Sequence, residues 1–309
     1  MIPFAGSPLN RASEKRTDAN WIASKRRDPS SLIFPLWRLQ PFLLEPDKPG
    51  SPLALGLLRP EIADAITSAG DAPSIFLGLD GDDRAVFALD ISEAKDPANA
   101  RPLAGLGYFR DARTAAATVS IEHAAIIAQA KALIDWHQRH GFCPRCGART
   151  VMVDAGYRRL CDQCDAEHFP RVDPVVIMLA TDGEACLVGR GKQFPAGMFS
   201  ALAGFVEPGE TIEEAVRREL MEEASLKVTE VTYYATQPWP FPSSLMIGCF
   251  AKAASRDAKP DQIEIAEVRW IERSVARDLI EGKQIPGVRV PPPIAIAHHL
   301  IRAWALGEE

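Results

Sequence analysis

The stretch from Gly204 to Leu226 constrains the fold most, because it demands a helix whose charged face lies beside the core rather than opposite it. Thr211 and Glu214 form a T-x-x-E capping box after a Pro208-Gly209 turn, so a helix begins there. At about 100° per residue, Glu219, Glu222 and Glu223 fall within an arc of about 100°, with Glu219 and Glu223 one turn apart. An ordinary amphipathic helix would hold such a face in water, away from its apolar stripe. Here Ile212, Val216 and Leu220 project only about 70° from the middle of the glutamate arc. Crowded, partly desolvated carboxylates repel unless protonated or neutralised by a cation, and oxygen-only ligand sets suit hard ions such as Mg²⁺ or Mn²⁺. The run therefore predicts a metal-binding carboxylate face.

A second constraint comes from the cysteines. Cys143-Pro-Arg-Cys146 and Cys161-Asp-Gln-Cys164 are two C-x2-C pairs separated by 14 residues, close to a four-cysteine zinc pattern. Four thiolates at ~2.3 Å close a tetrahedral ion and leave no position for water, so this zinc is expected to be structural. The alternative is a pair of disulfides or redox dithiols, which identical spacing and the lack of an export signal argue against. Cys186 and Cys249 lie in strand-like apolar runs and are expected to be buried thiols. His140 and His168 flank the pairs but are not needed as ligands, and Trp136-His137 is read as packing or capping.

With 309 residues, 47% of them hydrophobic, the chain has material for two domains, or two and a small module. A net charge of −6 provides no general basic field, which favours a small substrate over a polyanion unless bound metal ions or a local patch intervene. Residues 1–30 contain no apolar core of signal-peptide length and no later run reaches membrane-spanning length, so a soluble, cytoplasmic protein with no membrane partner is expected. Strand-like segments at Ser31 to Leu36 and Ser74 to Leu79 precede a helix from about Ser120 to Arg139 that leads into the first cysteine pair. Beyond the cysteines, strands are expected at Asp173 to Ala180, Ala185 to Gly189, Phe199 to Ala203, Val228 to Ala235, Leu245 to Lys252 and Glu264 to Ile271, then a helix from about Ile294 to Leu306. Gln237-Pro-Trp-Pro-Phe-Pro-Ser-Ser244 lies between two of these strands, 33 residues after Gly204. Its alternating prolines and aromatics predict a stiff extended loop able to hold a nucleobase, with a proline-rich linker as the alternative.

Gly204, Glu210, Arg218, Glu219, Leu220, Glu222, Glu223 and Leu226 together resemble the Nudix box, with Ser225 where that motif has glycine. A Cβ in a left-handed cap costs about 1 kcal/mol, so this departure bears on stability and leaves the ligands intact. With the cysteines upstream and the Gln237 to Ser244 motif downstream, roughly Gly141 to Ala305 resembles the NADH pyrophosphatase family of Nudix hydrolases. Thr236 replaces the serine that opens the family's downstream motif, Phe169 stands where relatives often carry tyrosine, and Gly156 replaces an acidic group of some relatives.

The resemblance implies an α+β chain: a mixed α/β domain over 1–139, a zinc ribbon over 140–171, and a Nudix α/β/α sandwich over 172–309. It implies Mg²⁺ or Mn²⁺ on the Ala203 carbonyl, Glu219, Glu223 and Glu264, with Glu222 assisting catalysis; Glu267 lies close enough to Glu264 to be mistaken for it. It implies zinc on Cys143, Cys146, Cys161 and Cys164. Substrate contacts are implied for Gln237, Pro238, Trp239, Pro240, Phe241, Pro242, Ser243, Ser244, Phe169, Ala297 and Arg113. The implied activity is hydrolysis of NADH or NAD⁺ to the nicotinamide mononucleotide and AMP, and removal of NAD caps from RNA, by a homodimer. Hydrolysis of ADP-ribose or dinucleoside polyphosphates is a second reading, and a noncatalytic nucleotide- or RNA-binding protein a third.

Overall fold

The structure, a computed structural model, describes residues 2–45, 50–67 and 73–309. Contacts divide the chain into two units, Pro3–Arg171 with Pro240–Ser243, and Val172–Trp239 with Ser244–Glu309.

The first unit contains α1 (Ala19–Arg27), β1 (Leu32–Trp37), β2 (Gln40–Leu44), β3 (Ala54–Leu55), α2 (Pro60–Ile66), β4 (Ser74–Leu79), β5 (Ala85–Asp90), β6 (Tyr108–Phe109), α3 (Ala112–Ala116) and α4 (Ile121–Arg139). Its sheet runs β3-β2-β1-β5-β4, with β6 also on β2 and the β1/β5 pair parallel. Consecutive residues of β1, β4 and β5 are buried on opposite faces, which is why these strands read as unbroken apolar runs. Phe34, Leu36, Leu77 and Ala88 pack with Ile126, Ile127, Ala130 and Ile134 of α4, while Ile33, Phe42, Phe76 and Phe87 form a separate cluster with Ala63 and Leu103. Ser120 caps α4 by accepting the His123 amide at 3.3 Å. The ribbon follows as β7 (Thr150–Val153), β8 (Arg158–Cys161) and β9 (Glu167–His168), an antiparallel sheet.

The second unit contains β10 (Asp173–Thr181), β11 (Ala185–Gly191), β12 (Leu202–Phe205), α5 (Ile212–Ala224), β13 (Val228–Trp239), β14 (Ser244–Ala253), β15 (Ile265–Glu272), α6 (Arg273–Ile280) and α7 (Ile296–Leu306). The sheet order is β13-β14-β10-β11-β15, with β12 also on β10 and only the β10/β14 pair parallel among the pairings described. Alternation along β10 builds the sandwich: Val176, Met178 and Ala180 pack with Val216 and Leu220 of α5, and Ile177 and Leu179 pack with Leu300 and Trp304 of α7. Cys186 and Cys249 are buried in these strands, as expected.

Two expectations change. The Gln237 to Ser244 segment is not a free-standing loop, because β13 continues through Trp239 and pairs Gln237 with Met246 and Trp239 with Ser244, leaving a four-residue turn. The strand leading into the acidic helix starts at Leu202 rather than Phe199, whose ring is fully buried.

Candidate active site

The capping box sets the start of α5. Glu214 N–H donates to Thr211 Oγ1 at 3.2 Å and Thr211 N–H donates to Glu214 Oε2 at 2.8 Å. Val216 and Leu220 are fully buried, whereas Ile212, expected on the same stripe, is 37% exposed in the first turn. At the other end Ser225 adopts φ 52°, ψ 28°, and the amides of Ser225 and Leu226 donate to Met221 and Leu220 carbonyls at 3.0 Å. This left-handed cap is the conformation expected from the departure at Ser225.

Arg218 organises the carboxylates beside it. Its guanidinium grips Glu210 through two hydrogen bonds of 2.8 and 2.9 Å, and Nη1 reaches Glu219 at 2.8 Å and Glu222 at 3.0 Å. Nη2 also donates to the Phe205 carbonyl at 2.9 Å, tying the fork to β12. Hydrogen bonding from Arg218, with help from the Glu207 amide, holds Glu210 down at about 2. Gly204 explains itself sterically: a Cβ there would overlap the Glu219 carboxylate. The absent side chain lets that carboxylate lie against the backbone of β12.

Glu223 is in the opposite electrostatic situation. It is 8% exposed, and its Oε2 is buried without a hydrogen-bond partner. Burial first, then the charges of Glu219, Glu264 and Asp261, push its pKa up to about 8, against an opposing hydrogen bond from the Ala203 backbone. Burial likewise raises Glu219, with Arg218 opposing it. Glu223, Glu264 and Ala203 line one cavity of about 480 Å³, together with Lys192 and Phe194. Glu267 is directed elsewhere, pairing with Arg190 at 3.5 Å and Arg269 at 2.6 Å. A buried, unpartnered carboxylate oxygen raised by like charges fits a divalent cation, which would relieve both burdens. Among the described residues the glutamate oxygens are not gathered as closely as the cysteine sulfurs.

Those four sulfurs all lie within 4.8 Å of one another, with Cys143 to Cys164 at 3.7 Å and Cys146 to Cys161 at 3.4 Å. Metal–sulfur bonds of ~2.3 Å in a tetrahedron imply sulfur separations of about 3.8 Å, so the set fits zinc. The two turns are built alike: Gly147 N–H donates to Cys143 O at 2.8 Å and Asp165 N–H donates to Cys161 O at 2.9 Å. In both turns the residue just after the second cysteine has positive φ, 77° at Gly147 and 54° at Asp165. None of the six cysteines is in a disulfide. His137 accepts from Arg159 and bonds the Gly156 carbonyl at 2.9 Å, a packing role as expected. Gly156 itself has φ 99°, and a Cβ would come within 2.7 Å of Ile75, which accounts for glycine there.

The expected substrate residues are distributed unevenly. In the first unit, Phe241 packs edge-on to Phe4, with Arg113 4.8 Å and Lys131 5.0 Å from its ring centre. Pro240 is buried and its carbonyl accepts from Lys131 Nζ at 2.7 Å; Phe169 is 61% exposed. In the second unit, Pro238 and Trp239 end β13 and Ser244 begins β14. Pro242 and Ser243 lie in the turn between those strands. Gln237 is fully buried, and its carboxamide donates to Ile294 O and accepts from Ile296 N, both at 2.8 Å. Ala297 is also enclosed, so both side chains stand behind the surface and brace the entry to α7. Lys131, Lys192 and Phe194 were not singled out from sequence. Lys131 had one signal, a lysine amid the apolar positions of α4, whereas Lys192 and Phe194 had none beyond following a strand.

Three family profiles match consecutive parts of the chain: an NADH pyrophosphatase-like rudimentary NUDIX domain over 30–136, an NADH pyrophosphatase zinc ribbon domain over 138–169, and a NUDIX domain over 169–287. The human NAD-capped RNA hydrolase NUDT12 is 37% identical, covering 97% of this chain and 72% of the relative. An NAD-capped RNA hydrolase of Schizosaccharomyces pombe is 32% identical over 98% and 92% of the two chains. The human mitochondrial NAD(P)H pyrophosphatase NUDT13 is 38% identical over 64% of this chain and 59% of its own.

Proposed function

Because the chain belongs to the NADH pyrophosphatase family of Nudix hydrolases, we propose that it splits the pyrophosphate of NADH or NAD⁺ into the nicotinamide mononucleotide and AMP, and removes NAD caps from RNA. The observation that supports this most is Glu223, a buried carboxylate with an unpartnered oxygen, raised to about 8 in a cavity shared with Glu264. We assign Glu219, Glu223, Glu264 and the Ala203 carbonyl to a divalent ion, Mg²⁺ or Mn²⁺. Such an ion supplies positive charge to the pyrophosphate and acidifies water for in-line attack on phosphorus. Arg218 fixes Glu219 and Glu222 in place, and Glu222 or Glu264 accepts the proton of the attacking water. Trp239, at the end of β13, offers a flat face for a base; within the first unit, Arg113 lies over the Phe241 ring.

The ribbon sulfurs hold a structural zinc and leave no open position for chemistry. We divide the chain at 139/140 and 171/172, and place it in the cytoplasm as a homodimer on the strength of the family resemblance. Among the described residues no helix is long and apolar enough to cross a membrane.

The test is a substrate panel. Protein with Mg²⁺ or Mn²⁺ is given NADH, NAD⁺, ADP-ribose and NAD-capped RNA, and products are identified by mass. AMP and the nicotinamide mononucleotide from the dinucleotides, faster than any cleavage of ADP-ribose, are expected. Preference for ADP-ribose would replace the dinucleotide reading, and no metal-dependent cleavage of any substrate would leave a binding protein.

A further inference from the structure

The segment joining β14 to β15 is fastened to the last turn of α5 through its backbone. Lys259 N–H donates to Ala224 O at 2.8 Å, and Asp261 N–H donates to Glu223 O at 3.2 Å. From there the chain turns sharply, with Gln262 at φ 61° and its amide donating to Ile265 O at 3.2 Å. The Asp261 carboxylate closes this turn. Oδ1 accepts from Ile265 N at 2.9 Å, and both oxygens lie 3.1–3.2 Å from Glu264 N. The Glu264 carbonyl in turn accepts from Lys192 N at 3.0 Å, and both residues line the cavity.

Asp261 therefore bonds α5 at Glu223 through its main chain and the backbone of Glu264 through its side chain. We propose that Asp261 is a positioning residue for metal binding, setting where Glu264 stands relative to Glu223. The proposal rests on the assignment of Glu223 and Glu264 to the divalent ion. Asp261 does not itself need to meet the ion, because both of its carboxylate oxygens are engaged with main-chain amides. Removing them frees the turn, and Glu264 loses its fixed approach to Glu223. A residue that orients a ligand in this way changes metal affinity by about 10–100-fold when lost.

The test measures Mn²⁺ binding to the full-length protein by loss of the free-ion electron paramagnetic resonance signal, without substrate, alongside the KM for NADH and a thermal melt. Asp261→Ala is expected to weaken Mn²⁺ at least tenfold while KM for NADH, measured at saturating Mn²⁺, stays near that of the parent. Asp261→Asn, which keeps Oδ1 as an acceptor, is expected to recover part of the affinity, and it carries the test if the alanine variant does not fold. Unchanged Mn²⁺ affinity in a folded Asp261→Ala protein would overturn the proposal. So would an Asp261→Asn protein as weak as Glu264→Gln, since that pattern marks a direct ligand. Because binding is read without substrate, failure to cleave NADH is a separate result that bears only on the substrate.

Discussion

Single residues show two kinds of strain, and each predicts a measurable effect. Ser225 holds a left-handed conformation at the end of α5 although it carries a Cβ. Replacing it with glycine removes about 1–2 kcal/mol of strain and returns roughly 0.4–1 kcal/mol of unfolded-chain entropy. Ser225→Gly should therefore stabilise the protein by up to about 1.6 kcal/mol in denaturant unfolding, with the slope of the transition unchanged. Glu223 is strained electrostatically, its pKa raised from the ordinary 4.5 to about 8. Between those values the folded protein holds a proton that the unfolded chain releases, so stability falls as pH rises through that window. Thermal unfolding without added Mg²⁺ or Mn²⁺ should show this fall, and Glu223→Gln should flatten it; an equal slope in both proteins would remove Glu223 as its source. Metal binding displaces the same proton, so affinity should increase with pH toward about 8.

Among the elements, α5 was legible in the sequence because its determinants are local. The capping box, the stripe at Val216 and Leu220 and the departure at Ser225 all act within one or two turns. Glu264 was harder to separate from Glu267. In a regular strand alternation would decide which one faces α5, but β15 meets β11 with a register shift, pairing Glu267 with Arg190 and Ile265 with Gly191. That irregularity resets the alternation, and nothing local in the sequence announces it. The prediction is direct: Glu264→Gln should lose metal affinity, whereas Glu267→Gln, which breaks only pairs with Arg190 and Arg269, should keep it in a Mn²⁺ titration. The Gln237 to Ser244 segment was legible as a rigid aromatic feature but not as a hairpin end. Its anchors are distant in sequence, Lys131 being 109 residues from Pro240 and Gln237 being 57 from Ile294. Such contacts become visible only after the chain has folded.

For the molecule as a whole, an α+β chain with a zinc ribbon and a Nudix domain was readable because each part carries its own pattern: paired cysteines, an acidic helix and alternating strands. The side chains behind the expected substrate residues were not, since burial of Gln237 and Ala297 depends on how α7 seats on its sheet. The whole molecule sets a carboxylate face that needs a cation within a Nudix domain of the NADH pyrophosphatase family. If this face cleaves the pyrophosphate, its glutamates must govern turnover, which is measured by comparing parent and Glu223→Gln proteins on NADH across a Mg²⁺ or Mn²⁺ titration, with products resolved by chromatography. Metal-dependent release of AMP by the parent is expected, with at least a hundredfold lower rate in a folded Glu223→Gln variant, a loss of about 2.7 kcal/mol in transition-state stabilisation. Full metal-dependent turnover by the variant would contradict cleavage by this face.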